Sequence, residues 1–193
     1  MSAAPNPDRR SQRAHRAILD AVFDLAVKNG YGKVTIEAIA AAAGVGKPTI
    51  YRWWPSKGAI ALDAVNERLG HATDFPDTGD IAADLATQIT AVTDMFTGDI
   101  GTVYRGVIAE AQHNPDLKRA IRATVIEPRA QQCADRLWSA VTAGQIRGDL
   151  PPRTMVDLFF GPVYYRFLLG EDVDVKQVPH LVTDIINGLK PAA

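Results

Sequence analysis

The chain has 193 residues and a formal net charge of −1, with 47% hydrophobic and 22% charged residues. This length suits one large helical domain or two small ones that share a core, and the composition is that of an ordinary globular protein. No run approaches the roughly 18 consecutive apolar residues that span a bilayer. The N-terminal segment MSAAPNPDRR lacks the apolar centre of a signal peptide. We therefore expect a cytoplasmic protein without a membrane partner.

Charge is distributed unevenly along the chain. Residues 1–70 contain ten Lys/Arg and six Asp/Glu, a net of +4, whereas residues 71–193 contain eleven and sixteen, a net of −5. A basic first third indicates that only this part meets a polyanion; the alternative is a fluctuation in surface charge. Cys133 is the only cysteine, which excludes an intramolecular disulfide and a cysteine zinc cluster. The four histidines lack the spacing of a metal site, so we expect no metal and no cofactor.

The first predicted helix begins at about Arg9. Residues 1–8 are small and polar and include two prolines, so we expect them to be disordered. Apolar residues then recur at helical spacing from Ile18 to Ala26. The sequence Asn-Gly-Tyr-Gly at 29–32 is suited to ending this helix.

The segment from Thr35 to Lys57, TIEAIAAAAGVGKPTIYRWWPSK, predicts two short helices joined by a tight glycine turn. Thr35 is a good N-cap, and Gly44 can adopt the positive φ that ends a helix sharply. Pro48 is compatible with a first helical turn, and Pro55 ends the second of the two helices. This pattern is a helix-turn-helix, which places one helix in the major groove of DNA.

From Ser56, the predicted cap of a fourth helix, every segment except a linker at 71–79 has helical periodicity. Beyond the linker, two predicted helices are marked by apolar stripes: one has Leu85, Ile89, Val92 and Phe96, and the next has Val103, Val107, Ile108 and Ala111. Three further helices are predicted over residues 114–143, bent at Pro128; residues 153–169, kinked at Gly161-Pro162; and residues 176–189. We find no strand pattern. The predicted fold is therefore all-α with about nine helices, divided into an N-terminal three-helix helix-turn-helix domain at 9–70 and a second helical domain at 71–193.

The register AxxAGVGKPTIYRWWPSK resembles the DNA-binding domain of the TetR family of bacterial transcriptional regulators, whose pattern is loosely T-x-x-x-I-A-x-x-A-G-V-S-x-G-T-x-Y-x-H-F-x-S-K-E. The resemblance covers about residues 10–65, with VYYRFLLG at 163–170 as a weaker C-terminal likeness. The matching residues are Thr35, Ile39, Ala40, Ala43, Gly44, Val45, Thr49, Tyr51, Ser56 and Lys57. The chain departs from the pattern at Gly46, Pro48, Trp53, Trp54 and Gly58. No operator sequence can therefore be transferred from relatives.

The resemblance implies a DNA interface, and side-chain chemistry gives each candidate a role. Thr35, Tyr51 and Lys57 are expected at phosphates. Arg52 can read guanine and Thr49 can meet a thymine methyl group. Lys47 and Pro48 are further candidates for base edges, and Trp53 is a candidate on the same DNA-facing surface.

Several DNA candidates have a structural alternative. Tyr51 and Trp53 can instead belong to the core, where we place Trp54, and Arg52 can be a solvated surface charge. Three arginines near the N-terminus either reach the flanking DNA or form a solvated helix start; these are Arg9, Arg10 and Arg13.

The resemblance also implies that the C-terminal domain dimerises and binds a small effector. The predicted dimer interface, on the last two helices, consists of Phe159, Val163, Phe167, Leu181, Ile185 and Leu189, with intramolecular core packing as the alternative. The predicted lining of an apolar effector pocket is Phe96, Tyr104, Trp138 and Tyr164, with ordinary core packing as the alternative. We expect a homodimeric repressor that a hydrophobic molecule releases from a palindromic operator in double-stranded DNA.

Other functions have their own sequence requirements. An activator or a ligand-independent DNA-binding regulator would share the helix-turn-helix, and a protein-interaction module would retain it without binding DNA. The sequence contains no glycine-rich phosphate loop, nucleophile elbow or HExxH motif. We therefore expect that the protein is not an enzyme.

Overall fold

The computed structural model describes residues 7–70, 74–171 and 174–190, and all regular elements in these ranges are helical. Within these ranges, none of the helices is long and apolar enough to cross a bilayer. The α-helices are α1 (Pro7–Asn29), α2 (Ile36–Ala43), α3 (Lys47–Tyr51), α4 (Lys57–Leu69), α5 (Ile81–Thr97), α6 (Asp99–Ala111), α7 (Pro115–Ile121), α8 (Glu127–Thr142), α9 (Pro152–Leu169) and α10 (Val178–Gly188). The predicted all-α class is confirmed.

The helices form two compact units. The first contains the described residues up to Arg68 together with Thr102–Ile121, which comprise α1 to α4, most of α6, and α7. The second contains Leu69–Gly101 and the described residues from Arg122 onward, and so includes α5 and α8 to α10. Helix α6 thus has residues in both units. The division into domains at residue 70 stays a prediction.

Helix α1 begins at Pro7, two residues before its predicted start, and buries Ile18, Leu19, Val22 and Ala26 at helical spacing. Residues 1–6 of the expected disordered tail lie outside the described residues. The side chains of Arg9 and Arg10, two of the N-terminal DNA candidates, also lie outside them.

Helix α6 packs unusually close to the end of α1. A short 3-10 helix, Tyr31–Lys33, follows α1, and the Tyr31 hydroxyl donates a hydrogen bond to Glu110 Oε2 at 2.7 Å. Burial raises the pKa of Tyr31 above its ordinary value, and the hydrogen bond to the Glu110 carboxylate raises it further. A Cβ atom added at Gly106 would lie 2.5 Å from Tyr31 Cβ and Cγ. Only glycine therefore fits at this point of α6.

A buried ion pair organises the second unit. Arg136 on α8 donates hydrogen bonds from Nη2 and Nε to Asp84 Oδ2 on α5, at 2.6 and 2.9 Å. Asp84 also accepts from the hydroxyl and the backbone N–H of Thr78, and both charged side chains are buried. Burial alone would raise the pKa of Asp84, but the hydrogen bonds from Thr78 and Arg136 hold it below its ordinary value. No local pattern in the sequence indicates this pair, because its members are 52 residues apart.

The predicted helix over 114–143 is not α-helical throughout. Helix α7 ends at Ile121, a π-helical segment covers Arg122–Ile126, and α8 begins at Glu127. Pro128 lies in the first turn of α8 and has no N–H to donate, so the α-helical hydrogen-bond ladder cannot pass through this point unchanged. The predicted helix is therefore a continuous helical stretch with a π-helical segment just before Pro128.

The packing of α6 gives a stability prediction. We expect Gly106→Ala to lower the free energy of unfolding by about 1–3 kcal/mol, because the new methyl group overlaps a tyrosine that is held by Glu110. The matched control is Gly188→Ala on α10, where an added Cβ meets no atom within 4 Å. Urea unfolding of both variants checks this, and equal free energies would contradict a steric role for Gly106.

Candidate nucleic-acid interface

Helix α2 has the two ends that the sequence predicts. The Thr35 backbone is extended, and its hydroxyl accepts a hydrogen bond from the Ala38 N–H at 3.1 Å, as an N-cap does. Gly44 adopts φ 65° and ψ 34°, the left-handed conformation that glycine tolerates best. The Val45 N–H then donates to the Ala40 carbonyl at 3.0 Å. These bonds turn the chain sharply toward α3, so the predicted turn is confirmed.

Helix α3 is only five residues long, and its buried residue Ile50 packs in the core of the first unit. Gly46 precedes it in an extended conformation without a side-chain cap, and Pro48 occupies its first turn, as predicted. Lys47 Nζ lies 2.8 Å from Glu37 Oε1 of α2. Their hydrogen bond raises the pKa of Lys47 and lowers that of Glu37. Both side chains are exposed, so the pair is weak, and phosphate can compete for Lys47.

The outer surface of α3 is open to solvent. Tyr51 is 55% exposed, which overturns the alternative that it belongs to the core. Pro48 and Arg52 are also exposed, and Thr49 is half-buried. The structure therefore brings these four candidates to one exposed surface, and their contacts with DNA stay predictions.

Aromatic side chains lie beneath the end of α3. Trp54 is buried, as predicted, and its Nε1–H donates to Asp63 Oδ2 at 2.6 Å. The imidazole of His15 from α1 contacts both tryptophans, with ring centroids 4.7 Å from Trp54 and 5.4 Å from Trp53, and the two indoles also meet each other at 5.5 Å. The guanidinium carbon of Arg52 lies 4.8 Å from the Trp53 ring centroid. Trp53 is half-buried, so it is neither wholly core nor wholly surface.

Lys57 has an intramolecular role that the sequence did not indicate. Its Nζ donates to the carbonyls of Val34 and Tyr31, at 3.2 and 3.4 Å, and lies 4.7 Å from the centroid of the Tyr31 ring. The ammonium group therefore joins the start of α4 to the end of α1. Its proposed contact with a phosphate stays a prediction.

The predicted effector residues occupy different surroundings. Phe96 and Tyr164 meet in the second unit, with ring centroids 5.0 Å apart, and Phe167 stacks on Phe96 at 3.9 Å. Tyr104 is buried in the first unit. Trp138 is 54% exposed and does not line an enclosed cavity, which corrects its prediction. Its position on α8 is the cause, since the buried stripe of that helix is formed by Ala130, Cys133, Leu137 and Ala140.

The structure divides the predicted dimer residues into buried and partly exposed ones. Phe159, Val163 and Phe167 lie at a four-residue spacing on α9 and are buried within the protomer. Leu189, after α10, is buried as well, whereas Leu181 and Ile185 are partly exposed. Helix α9 is hydrophobic on two faces, and the predicted stripe is the face that packs in the protomer core. Its second apolar face consists of Leu158, Pro162, Tyr165 and Leu169.

Sequence reasoning missed three residues beside α3. His15 was treated as one of four scattered histidines, although it precedes buried Ile18 and Leu19 by one helical turn on the same face of α1. That spacing was an available signal. Glu37 and Asp63, the partners of Lys47 and Trp54, had no comparable signal because both contacts depend on tertiary structure.

A short, exposed helix set by a glycine turn on a three-helix support defines a helix-turn-helix DNA-binding protein. Residues 18–64 match the family described as bacterial regulatory proteins, tetR family, and residues 75–185 match the tetracyclin repressor-like C-terminal domain. The chain belongs to the TetR family and is a DNA-binding transcriptional regulator, not an enzyme.

Individual relatives agree with this assignment. The uncharacterized HTH-type transcriptional regulator YdeS of Bacillus subtilis (strain 168) is 34% identical over 185 residues, which cover 94% of this chain and 92% of YdeS. The crystal structure of the TetR family transcription regulator SCO0332 is 39% identical, with a TM-score of 0.75 over 93% of this chain and all of that one. FadR from Bacillus subtilis, solved in complex with stearoyl-CoA, shares the fold at 20% identity, with a TM-score of 0.74 over 91% of this chain and 99% of FadR.

Proposed function

We propose that this regulator is a cytoplasmic homodimeric repressor that binds a palindromic operator and releases it when a small hydrophobic effector binds. The observation that carries the DNA-binding part is the exposed surface of α3, where Pro48, Tyr51 and Arg52 face solvent beside Lys47. An alternative is an activator or a regulator that binds DNA without an effector.

The side chains around α3 supply both kinds of DNA contact. The hydroxyl of Tyr51 and the ammonium of Lys47 suit phosphates, and the guanidinium of Arg52 suits the edge of guanine. A five-residue helix covers few base pairs. Specific binding therefore calls for two copies on half-sites about 34–36 Å apart.

The outward face of α9 supports dimerisation. Leu158, Pro162, Tyr165 and Leu169 follow a helical spacing, and Tyr165 and Leu169 are 63% and 59% exposed. Gly161 lies beside this stripe, and a Cβ added there would meet no atom within 4 Å. A helix of a second copy can approach the backbone closely at this point. Partly exposed Leu181 and Ile185 add an apolar strip on α10.

The aromatic cluster of Phe96, Tyr164 and Phe167 in the second unit supports a hydrophobic effector. FadR, which shares the fold, was solved with stearoyl-CoA, and FrrA, another structural neighbour, is described as flavonoid-responsive. Helix α6 has residues in both units, so a ligand-induced shift of α6 would act on the Tyr31–Glu110 contact. Release would then be a shift in the population of two conformations.

We expect the full-length protein to select one palindromic duplex from a randomised double-stranded library. Arg52→Ala should weaken binding to the selected duplex about 5- to 150-fold, the range for loss of a good base contact, and relax the preference at one position of each half-site. Binding assays and repeated selection measure this. Arg119→Ala, which removes an exposed charge from α7, is the matched control. Absence of any enriched duplex would contradict specific DNA binding.

We expect Tyr165→Glu and Leu169→Glu to convert the dimer to a folded monomer, because each places a charge on the apolar face of α9 without disturbing the protomer core. Sedimentation equilibrium measures the mass of the particle. Trp138→Glu tests an equally exposed apolar residue on α8 and should remain dimeric. A wild-type protein that is monomeric at all concentrations would rule out the homodimer.

Effector release predicts that a hydrophobic ligand lowers affinity for the selected duplex by about 5- to 150-fold, the usual range of allosteric coupling. Stearoyl-CoA and a flavonoid are suitable probes, and free coenzyme A controls for the polar head group. Fluorescence anisotropy of the labelled duplex measures the change. Unchanged affinity across a panel of hydrophobic ligands would favour the ligand-independent alternative, and increased affinity would indicate a corepressor.

A further inference from the structure

We propose that His15 and Trp53 are positioning residues that hold Arg52 in the orientation in which it reads the operator. The inference rests on the proposed role of Arg52 in base recognition. It assigns a part in DNA recognition to a residue of α1 that lies outside the helix-turn-helix.

The first observation is a continuous series of contacts from α4 to Arg52. Asp63 accepts a hydrogen bond from the Trp54 indole at 2.6 Å, and the Trp54 ring packs against His15 at 4.7 Å. The edge of His15 meets Trp53 at 5.4 Å with an interplanar angle of 67°. The Arg52 guanidinium lies over the other end of this series, 4.8 Å from the Trp53 ring centroid. All five residues belong to the first unit.

The second observation is the difference in burial along this series. Trp54 is buried, His15 and Trp53 are half-buried, and Arg52 is exposed. The tryptophan ring at 53 is therefore fixed from beneath by His15 and Trp54, while its outer part is available to the guanidinium. A cation over an indole face is the most favourable of the cation–aromatic contacts.

The physical consequence is preorganisation of Arg52. An exposed arginine samples many rotamers, and ordering it on binding costs conformational entropy. A guanidinium that already rests on an immobilised indole loses less freedom when it meets a base. His15 contacts the Trp53 ring on which Arg52 rests, so His15 acts on Arg52 through Trp53.

A double-mutant cycle with Arg52→Ala tests this coupling. The probe is the duplex that the full-length wild-type protein selects from a randomised library. We expect Trp53→Leu and His15→Leu each to weaken binding about three- to fivefold when Arg52 is present, the size of an exposed cation–π contact. In the Arg52→Ala background, the same substitutions should change affinity less than about 1.5-fold. Trp53→Phe and His15→Phe, which keep an aromatic ring, should retain most of the affinity.

Repeated selection supplies a second readout that a purely structural role would not change. We expect Trp53→Leu to relax the preference at the base position that Arg52→Ala also relaxes, and at no other position. Trp138→Leu, which removes an exposed tryptophan from α8, should leave the selected sequence and the affinity unchanged. Thermal unfolding identifies variants that fail to fold. The His15 arm of the cycle tests the coupling independently if Trp53→Leu is unstable.

Three results would overturn the proposal. Equal losses with and without Arg52 would mean that Trp53 and His15 act on DNA or on the fold by themselves. Tighter binding by Trp53→Leu would mean that the indole holds Arg52 away from DNA. Relaxed preference at every position would indicate a general loss of structure. A wild-type protein that selects no duplex would instead refute the proposed function.

Discussion

The close contact of α6 with the end of α1 is the constraint on which the first unit depends. A side chain at position 106 would overlap Tyr31, so only glycine fits there. Likewise, a Cβ at Gly58 would lie 2.6 Å from Glu110 Oε1 and 2.7 Å from Leu117 Cδ2. The small size of Gly58 and Gly106 thus makes room for Glu110 and for Tyr31, which donates a hydrogen bond to it. Lys57 binds the carbonyls of this turn from α4. Helices α1, α4 and α6 consequently meet at one polar contact that a small displacement of any of them would break.

Recognition helix α3 is too short to be stable by itself, since helices of fewer than about 12 residues are marginal in water. Its conformation comes from its neighbours: the left-handed turn at Gly44 and the buried side chain of Ile50. These fix the backbone. The exposed side chains of α3 are therefore available for contacts with DNA, because none of them contributes to the core.

Local signals allowed the first third of the chain to be predicted closely. The N-cap at Thr35, the turn at Gly44 and the burial of Trp54 each depend on residue type and near neighbours, and each is confirmed. Faces of helices in the second unit were predicted less well. Helix α9 is apolar on two sides, so periodicity alone could not distinguish the buried Phe159 stripe from the exposed Tyr165 stripe. The aromatic character of Trp138 does not reveal that it lies on the exposed side of α8.

The departures from the family pattern make physical sense as parts of pairs. Gly58 stands where the pattern has a glutamate, and the space is occupied by Glu110 and Leu117, which are distant in sequence. Trp53 stands where the pattern has a histidine, and here it packs against His15 of α1. Read alone, each position departs from the family pattern, whereas in the structure each has a neighbour from another part of the first unit. The proposed recognition of an operator therefore involves α1 as well as α3, since the motif contains only Trp53 of the His15–Trp53 pair.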